Sequence, residues 1–97
     1  MTALAIDGWL KEYGPEYGWN EVDAETAQRY ANEGKPAVTS GGSIDHVHVV
    51  CPSKNGEFDP ILGVTIAQAG SRVTSYTHIS SIYGANSLEK VTYWVHE

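Results

Sequence analysis

Cysteine and basic residues are both scarce in this sequence. Among its 97 residues there is one cysteine, Cys51, so neither an intramolecular disulfide nor a metal motif of paired cysteines can form. Lys and Arg number six against twelve Asp and Glu and do not cluster, which leaves a net charge of −6. This balance argues against direct binding to nucleic acid, because basic side chains hold a phosphate backbone. It favours solubility, or attraction to a basic protein surface.

Long apolar runs are missing as well. No stretch approaches the ~20 apolar residues that span a bilayer, and the N-terminus lacks the basic and apolar regions of a secretory signal. We therefore expect no membrane partner, and a protein that is cytoplasmic or released without a signal peptide. No motif in the sequence points to a cofactor, and none is predicted.

The residues that are present can build one modest core. Hydrophobic residues make up 41% of the chain and aromatic residues 10%. This length and composition suit one compact unit, so we predict a single domain over residues 1–97.

Two helices are predicted in the first third of the chain. Between residues 2 and 13, apolar side chains recur at helical spacing at Ile6, Trp9, Leu10 and Tyr13. A second helix is predicted over residues 24–31, where Asp23 precedes as a cap and Gly34 follows the last turn. Its alanine face permits close packing on a sheet.

The remainder is predicted to be strands. They cover residues 36–40, 45–51, 61–68, 72–77 and 91–96, and residues 80–86 are interpreted as a loop or a single helical turn. Helices followed by antiparallel strands are typical of the α+β class. We expect two N-terminal helices packed on a small antiparallel sheet of about four or five strands.

His46 is the sharpest candidate for chemistry. A histidine held at the start of a strand suits a general base for a substrate in the adjoining groove. The alternative is a half-exposed strand histidine without a catalytic role. That alternative is stronger for His48, which follows two residues later on the same face.

Cys51 is predicted to point away from His46. Alternation along the strand places Val47, Val49 and Cys51 on one face and His46, His48 and Val50 on the other. A catalytic pair of Cys51 and His46 is therefore not expected, and Cys51 is interpreted as a small buried apolar side chain.

A zinc site is chemically allowed but weakly indicated. Its ligands would be Asp45, His46 and His48, with His78 or His96 as a distant fourth. The sequence lacks the spacings typical of zinc motifs, so no metal site is predicted.

Several segments in this order resemble papain-type amidases of the CHAP and NlpC/P60 kind, which cut peptidoglycan. The matching stretches are residues 19–22, 27–38, 46–50, 66–70 and 93–96. The resemblance covers most of the chain from about Trp9 onward. It implies a fold like the C-terminal part of such a papain-like domain.

The resemblance also implies roles for individual residues. In that family a cysteine on an N-terminal helix attacks an amide, a histidine at the start of the next strand acts as the base, and a polar residue on the following strand orients the imidazole. His46 matches the base, and Gln68 matches the orienting residue.

The nucleophile is the point where the chain departs from the family. Residues 1–50 contain no cysteine. Ser40 and Ser43 are expected in a flexible loop, without the helix N-terminal setting that activates a nucleophile. Thr2 is better explained as a helix cap. The chain thus resembles the enzyme with its first helix missing.

Two interpretations follow from this departure. The favoured one is a non-hydrolysing binding or inhibitory protein on a degenerate amidase scaffold, such as a small acidic mobile-element protein that blocks a basic partner. The alternative is a cysteine-type peptidoglycan amidase or endopeptidase, in which His46 is the base and the nucleophile comes from a segment or chain not present here. A peptidoglycan peptide would then be the substrate.

A binder needs a surface. A sheet without its covering helix would expose an apolar face, which favours a protein partner or self-association into a homo-oligomer. Tyr17 and Tyr83, each beside a glycine, are expected to be exposed and, with His48, are the predicted binding residues. Core packing is expected for Trp9 and Trp94.

Overall fold

Two helices begin the chain, as predicted. In the computed structural model, which describes residues 3–41, 47–69 and 74–97, α1 spans Ala3–Tyr13 and α2 spans Ala24–Asn32. The Asp23 carboxylate caps α2 by accepting a hydrogen bond from the Thr26 backbone N–H at 2.8 Å. A short 3₁₀ helix, Gly14–Tyr17, follows α1 directly.

Within the described residues, six strands form two antiparallel sheets. They are β1 (Trp19–Val22), β2 (Ala37–Gly41), β3 (His48–Val49), β4 (Thr65–Ala69), β5 (Thr74–His78) and β6 (Val91–His96). The larger sheet has the order β1-β6-β2-β3, and β4 and β5 form a hairpin. A bridge between Val50 and Ile66 and a 2.8 Å hydrogen bond from the Cys51 N–H to the Thr65 carbonyl join the hairpin to β3.

The two long helices cover opposite faces of the larger sheet. Ala27 and Ala31 of α2 are buried against Ala37 and Val95 in the main core, which confirms the predicted alanine face. On the other face, Asp7 of α1 contacts Ser40 of β2, which also bonds to the indole of Trp94. Trp94 is buried, as expected, whereas Trp9 is only half-buried.

This arrangement corrects the expectation of an uncovered apolar sheet face. The central strands β2 and β6 carry buried side chains on both faces, because one helix packs on each side. Large exposed apolar side chains lie instead in two places. One is toward the hairpin, at Val49, Ile61, Leu62 and Tyr76, and the other is at the end of α1 and in the 3₁₀ helix, at Tyr13 and Tyr17.

Three elements differ from the sequence-based prediction. β1 was not predicted, because its four residues are too short a segment to show a periodic pattern. The strand expected over residues 61–68 begins only at Thr65. Residues 59–63 form a turn instead, in which the Asp59 carboxylate accepts hydrogen bonds from the N–H groups of Ile61 and Leu62, both at 2.9 Å. Turn chemistry therefore outweighs the strand preference of these apolar residues.

The other elements are close to expectation. Of the strand predicted over residues 45–51, the structure assigns His48–Val49 and the Val50 bridge, and positions 45 and 46 lie outside the described residues. Residues 80–86 contain the end of a 3₁₀ turn and the start of the short helix α3, Ala85–Leu88. The chain is an α+β protein with a small antiparallel sheet, as predicted. No helix in the described part is long and apolar enough to cross a membrane.

Candidate functional site

The two catalytic positions implied by the resemblance cannot be placed as side chains. His46 lies outside the described residues, and so does the side chain of Gln68, whose backbone is in β4. Val50 and Ile66 form an isolated antiparallel bridge, and position 68 pairs in register with position 75 of β5. The roles of His46 and Gln68 stay predictions.

His48 packs against Tyr83 on the core side of the sheet. The two rings meet edge to face with centroids 5.9 Å apart, and the Tyr83 hydroxyl lies 3.5 Å from His48 Nδ1. The expected exposure of Tyr83 is wrong, because only 3% of this residue is accessible. Burial raises the pKa of the Tyr83 phenol, so the phenol stays protonated at neutral pH.

Cys51 lies on the sheet face opposite His48. Val50 is buried in the core. Because successive side chains of an extended backbone point to opposite faces, the side chain of Cys51 points outward. The thiol is half-buried rather than buried as predicted, and it lies 3.7 Å from the Val49 carbonyl oxygen. Burial raises the pKa of the Cys51 thiol, which keeps it protonated and poorly nucleophilic.

Ser40 belongs to a strand, which confirms the strand predicted over residues 36–40 and contradicts the flexible loop expected for this serine. It lies in β2, is only 1% exposed, and its hydroxyl donates to the Asp7 carboxylate at 2.5 Å. Thr92 lies 2.8 Å away and the Trp94 indole N–H donates to the same hydroxyl at 3.1 Å. A side chain that is enclosed in this way has no access to a substrate. Ser43 lies outside the described residues.

Asp7 links α1 to this buried polar cluster. Its carboxylate also accepts a hydrogen bond from Lys11 at 2.9 Å. Desolvation acts to raise the pKa of Asp7, but the hydrogen bonds from Ser40 and Lys11 outweigh it, and the pKa of this carboxyl lies below its ordinary value. The carboxylate is therefore ionised at neutral pH and serves to hold α1 on the sheet.

The histidines weighed as zinc ligands are dispersed. His48 faces the core, whereas His78 pairs in register with Thr65 in the hairpin. His96 lies beside β1, where its Nε2 is 2.9 Å from the Tyr17 carbonyl oxygen. Within residues 3–41, 47–69 and 74–97, no three His, Cys, Asp or Glu side chains are grouped to hold a metal ion. Asp45 and His46 lie outside those ranges.

Tyr17 is exposed, as predicted. Its accessibility is 63%, and its ring lies 5.5 Å from that of Trp9. The two rings pack at a tilt of 32°, so the exposed tyrosine is held by a half-buried neighbour. Such a fixed aromatic ring can serve as a contact residue.

A cavity with polar and aromatic lining lies along the hairpin. We define the hairpin groove as the cleft of about 680 Å³ between residues 52–59 and the hairpin residues Thr65 and 76–78. Its volume is within the range of ligand-binding clefts. Tyr76 stands in it with 70% of its surface accessible.

Charged groups of both signs line the hairpin groove. Glu57 and Asp59 contribute carboxylates and Lys54 an ammonium. Hydrogen bonds from the Leu62 and Ile61 backbone N–H groups lower the pKa of Asp59, with a smaller contribution from His78. Asp59 is therefore ionised at neutral pH. Sequence reasoning missed this groove, because its two walls come from separate segments of the chain.

Comparison with known proteins gives no relative from which to transfer a role. No protein-family model matches the chain, and neither the curated proteins nor the solved structures include a match. The helices and antiparallel sheets define the class of the protein as α+β. Evidence for a function lies in the described residues themselves.

Proposed function

We propose that this chain is a non-hydrolysing binding or inhibitory protein on a scaffold that resembles the CHAP and NlpC/P60 amidases, and that its partner is a basic protein. The observation that carries the proposal is the placement of the described nucleophile candidates. Cys51 faces away from His48 and is protonated, and Ser40 is enclosed between α1 and the sheet. Neither Cys51 nor Ser40 is thus activated for attack, and an unactivated side chain does not support the covalent route to amide cleavage.

The surface supports a binding role. The described part of the chain exposes apolar and aromatic side chains around the hairpin, and Tyr17 at a second place. Exposed aromatic side chains are common anchors of protein interfaces. The net charge of −6 would steer the chain toward a basic partner and weaken its attraction to a second copy of itself.

We expect the purified protein to release no product from peptidoglycan fragments or from a model peptide amide. The measurement compares the unsubstituted chain with a His46→Ala variant, with a sample alkylated by iodoacetamide, and with His78→Ala as a matched histidine control. The proposal predicts identical, blank-level product in all four samples. It also predicts that the same preparation binds a purified basic nucleic-acid-binding protein at low ionic strength.

Turnover that His46→Ala abolishes and His78→Ala leaves intact would establish the amidase alternative and refute the proposal. Binding that persists unchanged at high ionic strength would refute the electrostatic choice of partner, because exposed charge pairs are screened by salt.

A further inference from the structure

Residues on both sides of the hairpin groove are held by hydrogen bonds to α2. Gln28 is 1% exposed and donates to the Cys51 carbonyl at 2.8 Å, while its own carbonyl accepts the Thr65 N–H at 2.8 Å. Asn32, one turn later, accepts the Ser53 N–H at 2.8 Å. One helix, α2, is thus hydrogen-bonded to residues 51 and 53 on one side of the groove and to Thr65 on the other. The groove is therefore formed before a ligand binds.

A closed turn begins at Asp59, the last residue of the wall formed by residues 52–59. Besides its two carboxylate bonds, Asp59 accepts a hydrogen bond from the Gly63 N–H through its backbone carbonyl at 2.9 Å. Gly63 has a φ of 83°, a conformation that side chains disfavour. This turn presents Ile61 with 85% of its surface exposed. A partner would meet an ordered apolar contact at the rim, at little cost in conformational entropy.

Two features make the groove suited to a cationic side chain. The Tyr76 ring is exposed, and an aromatic face attracts a guanidinium or ammonium group. Glu57 and Asp59 add negative charge, and neither takes part in the two ion pairs of the described residues, Lys11–Asp7 and Lys35–Glu33. The Glu57 carboxylate is therefore available to a ligand, and Asp59 adds its charge while one of its oxygens accepts the Ile61 and Leu62 N–H groups.

Lys54 contributes the opposite, positive charge to the same groove. Its ammonium is exposed and likewise belongs to neither ion pair. Two carboxylates against one ammonium leave the lining acidic, in line with the acidic chain as a whole. This excess of negative charge favours a cationic ligand over an anionic one. The positive charge of Lys54 should weaken the binding of a cation.

We propose that the hairpin groove binds an arginine or lysine side chain from an extended segment of the basic partner, an inference that rests on the proposed function. The cation lies over Tyr76 with Glu57 and Asp59 near it, and Ile61 packs against the adjacent apolar part of the segment. β5 is the outer strand of the hairpin, so an extended segment can lie along it.

The experiment uses fluorescence anisotropy of a labelled nonapeptide that alternates Arg and Thr, with a matched peptide that carries Glu in place of Arg. Tyr76→Ala should weaken binding of the Arg peptide about three- to tenfold, and Tyr76→Phe, which keeps the ring, should stay within about twofold. Glu57→Gln should weaken it about threefold, and Lys54→Gln should strengthen it about twofold. Circular dichroism of each variant checks the fold.

Glu21→Gln is the charge-matched control, because Glu21 is exposed on β1 at the other end of the larger sheet. It should leave binding unchanged, and the Glu peptide should not bind. Equal effects of Glu21→Gln and Glu57→Gln, or a Lys54→Gln variant that binds the Arg peptide more weakly, would overturn the groove assignment and leave the proposed function standing. If the unsubstituted chain fails to bind the Arg peptide at low ionic strength but still binds the purified basic protein, the groove assignment is overturned and the proposed function stands; failure to bind either would overturn both.

Discussion

Two neighbouring hydroxyl groups of β2 have opposite surroundings. Thr39 and Ser40 are both 1% exposed, but they face different sides of the sheet. The Ser40 hydroxyl bonds to Asp7, Thr92 and Trp94, whereas the Thr39 hydroxyl has no hydrogen-bond partner within the described part of the chain. A buried polar group without a partner lowers stability, and one that is paired does not.

Replacement of these two residues should therefore change stability in opposite directions. Thr39→Val keeps the shape, removes the unpaired hydroxyl and should raise the free energy of unfolding by about 1 kcal/mol. Ser40→Ala leaves the Trp94 indole N–H and the Asp7 carboxylate short of a partner and should lower it by about 1–3 kcal/mol. Urea titrations of the two variants measure both effects, and a less stable Thr39→Val would contradict this account.

At the scale of elements, α2 serves two purposes. Its alanine face packs on the larger sheet, and its polar positions Gln28 and Asn32 hold residues 51–53 and β4. The short strand β3 thereby has hydrogen-bonded support on the hairpin side as well as from β2. Because the hairpin groove begins at this junction, its shape depends on the amide of one buried glutamine.

Gln28→Leu should loosen this junction. The leucine removes the partner of the Thr65 N–H and of the Cys51 carbonyl, which should lower the free energy of unfolding by about 2–4 kcal/mol. Arg29→Leu on the exposed side of α2 is the control and should change it by less than about 0.5 kcal/mol. Hydrogen exchange adds a local measurement, in which the Thr65 amide should exchange faster in Gln28→Leu alone. If the Thr65 amide exchanged at the same rate in Gln28→Leu as in the unsubstituted chain, the proposed role of Gln28 in holding β4 would be contradicted.

For the whole molecule, acid sensitivity follows from its carboxylates. The pKa values of Asp7, Asp23 and Asp59 are all lowered, in each case because hydrogen bonds favour the charged form. A carboxyl with a lowered pKa in the folded state contributes stability that is present above its unfolded pKa. This contribution is lost as the pH falls through the folded value. The chain should thus be most stable near neutral pH and should weaken below about pH 4.

Asp7→Asn should remove part of this pH dependence. At pH 7 the variant should unfold with a free energy about 1–2 kcal/mol lower, because the bonds to Ser40 and Lys11 are weakened. The deficit should begin to shrink below about pH 4, where the carboxyl is protonated in the unfolded chain, and should be lost as the pH falls through the lower pKa of Asp7 in the folded chain. Thermal unfolding between pH 2.5 and 7 records the trend, with Glu12→Gln on the exposed side of α1 as the control. A deficit that does not depend on pH would show that the Asp7 charge is not responsible.

Local patterns identified much of the fold. The spacing of Ile6, Trp9 and Leu10 predicted α1, and Asp23 predicted the start of α2, since helical periodicity and capping are encoded within one or two turns. Alternation predicted β6, which spans Val91–His96. The turn at residues 59–63 was missed because the capping by Asp59 competes with an apolar run that resembles a strand.

The sequence by itself determined the α+β class, the acidic charge and the lack of a cysteine before position 50, because each depends only on neighbouring residues or on composition. Tertiary structure alone decided that Tyr83 and Ser40 are buried, that a helix covers each face of the central strands, and that Tyr76 and the carboxylates of Glu57 and Asp59 line one groove. The physical reason is distance along the chain. Burial and site formation depend on contacts between segments tens of residues apart, and local preference does not encode them.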